Sequence, residues 1–391
     1  RLVGSEMCIR DSVKIAGMID ESMDKEQMAK PPKSWEFRSK PSWQRLIIML
    51  GGVTVNFIMA IIIYIALAYS YGSSSISLDS IDDGFVITNP ILTEAGFKTG
   101  DKIITVDGQI LETYSDLRKS IIGSTNYQVE RDGNIVEIQL PVDFLGKLSS
   151  SEDMSTFEFR RPFIIQSVSD ESLNKDYDIR QGDRIISVNG QEIKYADQLD
   201  PLLQQNSNQT IEVELIRDTF RIKKTLNVDQ DGKLGIMYGA TVQNMVDLGL
   251  MKVSINSYSF LESIVAGTNR FVSFTGFYIE QFVAIFNPST GAYKGLGGFI
   301  SIGNIFPSTW DWQSFWNTTA FLSIMLGVLN LLPIPALDGG HAMFLVYEMV
   351  SGRKPSDKFM ETVQVIGFII LLALVIFANG NDIYKLFNFI V

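Results

Sequence analysis

Cysteine and histidine are nearly missing from this 391-residue chain, which has one of each, Cys8 and His341. A lone cysteine excludes an intrachain disulfide, so every domain must be held by its own packed core, even in an oxidising compartment. Basic residues are in the minority, 33 Lys and Arg against 44 Asp and Glu, for a net charge of −11. There is no basic stripe with interleaved aromatics, and this argues against a nucleic-acid partner. Charge of either sign is absent from residues 46–71, 312–337 and 362–381. Each stretch is near or above the roughly 20 residues that cross a bilayer as a helix. A long, polar and mixed region separates the first two. The pattern predicts a multi-pass α-helical membrane protein with spans at 46–71, 312–337 and 361–381 and a soluble insert.

What charge there is sets an orientation. Lys25, Lys30, Lys33, Arg38, Lys40 and Arg45 crowd before the first span, and Arg353, Lys354 and Lys358 lie between the last two. Both segments are expected in the cytoplasm by the positive-inside rule, which puts the insert and the C-terminus outside it. "RLVGSEMCIRDS" at 1–12 has neither a signal-peptide apolar run nor a clear relation to the residues after it. It resembles translated adaptor sequence, so the natural protein is expected to start upstream of Val13. The alternative is a genuine cytoplasmic tail.

The insert contains a repeat. "KTGDKIITVDGQI" at Lys98–Ile110 recurs as "RQGDRIISVNGQEI" at Arg180–Ile193, pairing Gly100 with Gly182, Asp101 with Asp183 and Gly108 with Gly190. In each copy a Gly-Asp turn leads into a short alternating strand. Asp107-Gly108 or Asn189-Gly190 then makes a tight turn of the kind that needs positive φ. Helical stretches (114–122, 195–204) and further strands come next, and another strand precedes each copy (85–88, 163–168). Two small β-rich domains are expected, at 80–145 and 158–230. Their "GDxIxxVxG" order resembles the PDZ domain in its circularly permuted bacterial form. The resemblance implies a groove beside an edge strand that accepts an extended peptide or chain end. Inert β-rich spacers are the plainer alternative. Residues 254–310 hold an amphipathic stretch in which Phe271, Phe274, Phe277, Tyr278 and Phe282 could sink to headgroup depth. Trp310, Trp312 and Trp316 suit an interface belt.

The second uncharged stretch ends in "LNLLPIPALDGGH", residues 329–341. Pro333 and Pro335 each delete a backbone donor and block a regular helix. Such a break is tolerable at membrane depth only where protein or water lines it. A carboxylate there, Asp338, is costly unless paired or metal-bound. Asn330 can offer an amide to exposed backbone, and Gly339 and Gly340 permit sharp turns or close approach. The plain reading is a span that simply stops at a Pro-x-Pro and a loop turn. The sharper one is a carboxylate aimed into a wet intramembrane pocket, with an exposed backbone edge beside it.

The full "NLLPIPALDGGH" resembles the second signature of the site-2 metalloproteases, which are intramembrane zinc proteases. "VKIAGM" at Val13–Met18, within residues 13–45, looks like that family's membrane-associated β-loop, and "GGVTVNF" at Gly51–Phe57 like its Gly-x-x-x-Asn-Phe motif. "GGFISIG" at Gly297–Gly303 is similar to the stretch before the third helix. The resemblance implies an extracytoplasmic PDZ tandem in a bacterial inner membrane and a Zn2+ cofactor. It implies single-pass transmembrane substrates such as anti-sigma factors or remnant signal peptides. Carried over by residue, Asp338 is similar to the third zinc ligand, Asn330, Pro333 and Pro335 to the substrate-contacting part, and Asn56 to a polar residue beside the active site. The family's other two zinc ligands and its general base lie in an HExxH motif, which this sequence lacks. As given, the chain is expected to bind catalytic zinc poorly and not to cleave peptides. His341 reads as a loop residue near the ligands, since three protein ligands already leave the water position. Two rivals stand beside this reading, a membrane-anchored PDZ scaffold without catalysis and a transporter or channel.

Overall fold

The computed structural model describes residues 33–151, 153–307 and 309–390. The adaptor-like residues 1–12 and the Val13–Met18 stretch lie outside them. The chain divides into two compact units, Arg1–Gly72 with Ser257–Ile279 and Leu296–Val391, and Ser73–Asn256 with Glu280–Gly295.

In the second of these units, strand β1 (Ser73–Ile76) pairs antiparallel with β13 (Val253–Asn256), so the two ends of the insert are joined to each other. The first repeat builds a three-stranded sheet, β3–β4–β5 (Lys102–Val106, Asn126–Arg131, Asn134–Gln139). It adds a β2–β6 pair (Phe85–Val86, Glu158–Phe159) and helix α2 (Tyr114–Ser120), α1 being the long helix Ser42–Tyr71. The second repeat has the same scheme. Its four-stranded sheet runs β11–β10–β8–β9 (Phe220–Asn227, Thr210–Arg217, Arg184–Val188, Gln191–Glu192), beside a β12–β7 pair (Ile236–Tyr238, Ile165–Val168) and helix α3 (Leu199–Gln205). The tight turns predicted at Asp107-Gly108 and Asn189-Gly190 have positive φ at both residues, as does the β4–β5 hairpin turn at Asp132-Gly133.

The recurring aspartate of the motif has a structural task. Asp101 and Asp183 are each 1% exposed. Asp101 accepts the Lys98 amide (2.8 Å) and two guanidinium bonds from Arg131 at 2.7 Å. Asp183 accepts the Arg180 amide (2.9 Å) and two bonds from Arg217 at 2.8 Å. A buried carboxylate is tolerable only when paired and hydrogen-bonded in this way. Around each, an apolar cluster forms, with Phe85, Phe97, Leu117 and Phe157 in the first repeat and Ile165, Leu199, Val213 and Leu226 in the second.

The other unit is helical. After α1 it contains α4 (Phe260–Phe286, through Ile279), α5 (Phe299–Gly303), α6 (Trp312–Leu331), α7 (Asp338–Ser351) and α8 (Asp357–Ile390). Among the described residues, three helical stretches are long and apolar enough to cross a membrane, Ser42–Tyr71, Trp312–Leu331 and Lys358–Phe387. The second is shorter than the uncharged run that predicted it, because the prolines stop the helix at Leu331. Ala60, Ile63, Tyr64 and Leu67 of α1 pack on Ala320, Ile324 and Val328 of α6. A β-carbon on Gly327 would stand 2.5 Å from the Phe57 ring, so glycine is what lets α6 approach α1 here. Phe271, Phe274 and Tyr278 of α4, three of the aromatics expected at headgroup depth, pack against this same cluster. Arg270 lies over the Tyr64 ring at 5.2 Å and donates to Asn317 at 3.0 Å.

Candidate functional site: a carboxylate at a broken helix

Helix α6 ends at Leu331, and Leu332 turns to extended backbone (φ −60, ψ 144). The Leu337 amide donates to the Ile334 carbonyl at 3.0 Å, closing a turn with Pro335 and Ala336 at its centre. Ala336 has φ 92, in the left-handed region that a type II turn demands at this position. A residue with a β-carbon held there carries about 1–3 kcal/mol of strain, a cost met mainly at functional sites. Leu337 is extended again, and Asp338 opens α7. Local sequence suggests an irregular loop at Asp338. It is in fact the first residue of a helix, where the partial positive charge of unpaired amides favours a carboxylate.

The two glycines after it serve close approach. A β-carbon on Gly339 would overlap the Leu331 carbonyl oxygen, and one on Gly340 would lie 2.5 Å from that of Ile334. The first turn of α7 therefore packs directly onto the backbone of the break. On another side, a β-carbon on Gly367 of α8 would overlap the Pro335 carbonyl oxygen. The Asp338 carboxylate comes within 3.9 Å of the place a β-carbon would take on Gly52, in the "GGVTVNF" stretch of α1. Asn56 lies one helical turn beyond Gly52, and its carbonyl accepts the Ser323 hydroxyl at 2.9 Å. At the far end of α7, Glu348 pairs with Arg45 of α1 at 2.5 Å, which fixes the two helices antiparallel. The structure thus gathers Asn330, Pro333, Pro335, Asp338, Gly339 and Gly340 at one break, and Asn56 stands on the helix that faces it.

His341 stands at i,i+3 from Asp338 on α7. A catalytic zinc takes three protein ligands and leaves one position for water. Among the described residues no group of three or more His, Cys, Asp or Glu could hold a metal ion. One carboxylate and one imidazole do not complete such a site, and these residues alone support no catalytic step through zinc.

Sequence reasoning missed a second polar anchor. Asp382 of α8, 4% exposed, accepts the amides of Gly298 (2.9 Å), Ile300 and Ser301 (both 3.1 Å) and the Ser301 hydroxyl (2.5 Å). Asn379 accepts the Phe299 amide at 3.2 Å, and Asn381 donates to the Leu296 carbonyl at 2.6 Å. The "GGFISIG" stretch is thereby tied to the helix that also abuts the Pro335 turn. The acidic residue at the end of an apolar run was the available signal.

The two repeats differ at the groove. In the second, a cleft of about 560 Å³ lies between α3 and β12, lined by Phe163, Asp200, Leu203 and Ile236–Tyr238. Among the described residues β12 pairs with β7 alone, so its other edge faces the cleft. In the first repeat, Tyr114 of α2 reaches across and donates to the Phe157 carbonyl at 2.7 Å. Its ring lies 4.3 Å from that of Phe159 on β6, the counterpart of β12. The first groove is filled by the chain's own side chains.

Helices able to span a bilayer, separate small β-sheet regions consistent with inserted PDZ-like domains, and an acidic residue at a proline-broken span describe a polytopic membrane protein. The chain belongs to peptidase family M50, whose model matches residues 12–374, and it is similar to members of the regulator of sigma E protease type. It is 27% identical to the regulator of sigma E protease of Haemophilus influenzae over 378 residues, covering 90% of this chain and 81% of that one. It is 25% identical over 400 residues to a protein of Pasteurella multocida named as a candidate zinc metalloprotease, covering 98% and 88% of the two chains. A similarly named protein of Staphylococcus aureus is 24% identical over 364 residues, and there the match covers 91% of this chain but only 63% of the relative. The membrane-spanning helices and the bacterial relatives support an inner-membrane location. A PDZ domain of an SdrC-like protein from Listeria monocytogenes matches 22% of this chain and 90% of its own length, at 17% identity and a TM-score of 0.18, which adds nothing to the fold argument.

Proposed function

We propose that this chain carries the substrate-presenting part of an intramembrane zinc metalloendopeptidase that cuts the transmembrane segments of single-pass proteins. In this reading Asp338 is the one zinc ligand the chain supplies, to a site whose imidazole donors are not among these 391 residues. Zinc with an open position would supply a water activated near neutral pH. The chain's own contribution is positional. Leu332 and Leu337 are extended on either side of the Pro335–Ala336 turn. Pro333 and Pro335 have no amides to close a helix, so an unwound substrate segment could lie along this backbone in extended form. Asn330, half-buried one turn before the break, and Asn56 are suited to orient it.

The observation that carries the reading is the carboxylate of Asp338, fixed at a helix start by two glycines and facing a glycine of the neighbouring span. The PDZ-like pair would stand on the extracytoplasmic side and test whether a substrate has been trimmed, the second groove taking a chain end. Anti-sigma factors or remnant signal peptides are the substrate classes proposed.

The test uses the complete gene product that contains this sequence. Asp338→Asn should abolish cleavage of a model transmembrane substrate while expression and membrane insertion are retained. Unchanged cleavage would remove Asp338 from the mechanism, and a parent that cleaves nothing would leave a membrane-tethered PDZ scaffold as the better account.

A further inference from the structure

The two PDZ-like domains are locked together by a polar clasp built on the segment that connects them. At its start, Phe157 is 1% exposed in the first core, and Phe159 fills the first groove against Tyr114. At its end, Phe163 stacks on Tyr238 at 4.2 Å and lines the second cleft. Between them, Arg160 grips both carboxylate oxygens of Asp197, the shortest contact being 2.6 Å. It also lies over the Tyr195 ring at 4.5 Å and donates to the Asp83 carbonyl at 3.3 Å. The Asp83 carboxylate, in a turn of the first domain, accepts the Tyr195 hydroxyl at 2.6 Å and the Lys194 ammonium of the second. The Ala196 amide donates to the Arg161 carbonyl at 2.8 Å.

Two short paths run from this clasp to the cleft. Arg160 is three residues from Phe163, and Asp197 is three residues from Asp200, which lines the cleft at the start of α3. An extended chain added along β12 must fit between Tyr238 and α3, and it meets both paths. A clasp made of a stacked guanidinium, a two-oxygen ion pair and a shared carboxylate has directional geometry. It is therefore kept or broken and does not stretch smoothly.

We propose that the Asp83–Tyr195–Arg160–Asp197 clasp couples occupancy of the second-domain cleft to the orientation of the first domain. The inference rests on the reading of that cleft as a peptide site. A chain end bound there would shift Phe163 or the start of α3, release the clasp and free the first domain to reorient. Because coupling is reciprocal, loosening the clasp must also change affinity in the cleft.

The experiment uses the full chain in nanodiscs, with Cys8→Ser and spin labels on Ile135→Cys and Phe220→Cys. These sites are exposed, at 69% and 71%, and lie one in each domain. The probe is a synthetic peptide with an apolar free C-terminus. Without peptide, one narrow distance distribution is expected, and saturating peptide should shift or broaden it. Asp83→Asn and Tyr195→Phe, two mild changes that keep the side-chain shapes, should broaden it without peptide and change peptide affinity about 5-fold. Peptide binding with an unmoved distribution would overturn the coupling alone, leaving the cleft reading intact. Distributions in both folded variants identical to the parent's would overturn the clasp. No peptide binding at all would overturn the cleft reading and the coupling with it.

Discussion

The carbonyl oxygen of Pro335 occupies the space a β-carbon on Gly367 would need, so helix α8 can abut the broken-helix turn only because residue 367 is glycine. The same turn is pressed from its other side by the Gly339–Gly340 start of α7. The position of Asp338 is thus set by backbone-to-backbone contact, which has less freedom than any side-chain contact.

Substituting Gly367→Val or Gly339→Ala should force the helices apart at the turn. Overpacking of this kind costs about 1–3 kcal/mol, more where backbone must move. Thermal unfolding of the chain in nanodiscs should show lower midpoints for both variants and an unchanged or slightly raised one for Gly276→Ala, a helix glycine with open space around it. Equal midpoints for all three would mean that the turn is not gripped as described.

A second prediction concerns acid. The hydrogen bonds of Arg217, then those of Arg180 and Lys224, hold Asp178 down to about 2. Burial pushes Asp183 up, but Arg217 and the Arg180 amide outweigh it and its value falls below the ordinary one. For a carboxylate with a depressed native pKa, the stabilisation is complete above the unfolded value near 3.9 and is lost as pH falls through the native value. Protection of the Arg184–Val188 amides, corrected for intrinsic exchange rates, should be flat from neutral pH to about pH 5 and should collapse between about pH 4 and 2. Arg217→Met should lower the plateau and flatten the acid limb. A parent that loses protection above pH 5, or a variant with the parent's slope, would contradict the assignment.

The grooves should behave differently. Tyr238→Ala removes a wall of the second cleft, and Gly235→Val drives a side chain into Ser172, which lies 2.6 Å from an ideal β-carbon there. Each should weaken binding of a peptide with an apolar free C-terminus at least about tenfold, or roughly 1.4 kcal/mol, by fluorescence anisotropy. Ile110→Ala, an exposed change in the first domain, should leave it unaltered. A peptide that binds all three variants equally well would place its site elsewhere.

Much of this architecture is written in local pattern. The uncharged runs marked the spans because a bilayer tolerates little else, and the duplicated Gly-Asp and Asp-Gly or Asn-Gly pairs marked turns because few residues accept their backbone angles. The proline break at Pro333 and Pro335 was equally plain. What escaped depends on residues far apart in the chain. The β1–β13 pairing joins Ser73 to Asn256, and the Asp382 anchor reaches back to Gly298. The role of Gly339 and Gly340 was legible only in part, since composition cannot say whether a glycine turns the chain or admits a neighbour. Helix α7 was hidden because its first three residues, Asp338-Gly-Gly, read locally as a turn. The closure of the first groove by Tyr114 likewise needs the fold, because a tyrosine at a helix start is ordinary on its own.

The most direct test is the zinc content of the purified complete gene product, by mass spectrometry of the metal, in parent and Asp338→Asn forms of equal folding. About one zinc per chain is predicted for the parent, with a clear loss in the variant, which would keep only two of the three protein ligands of a catalytic zinc. A variant that keeps the parent's zinc would show that Asp338 is not a ligand.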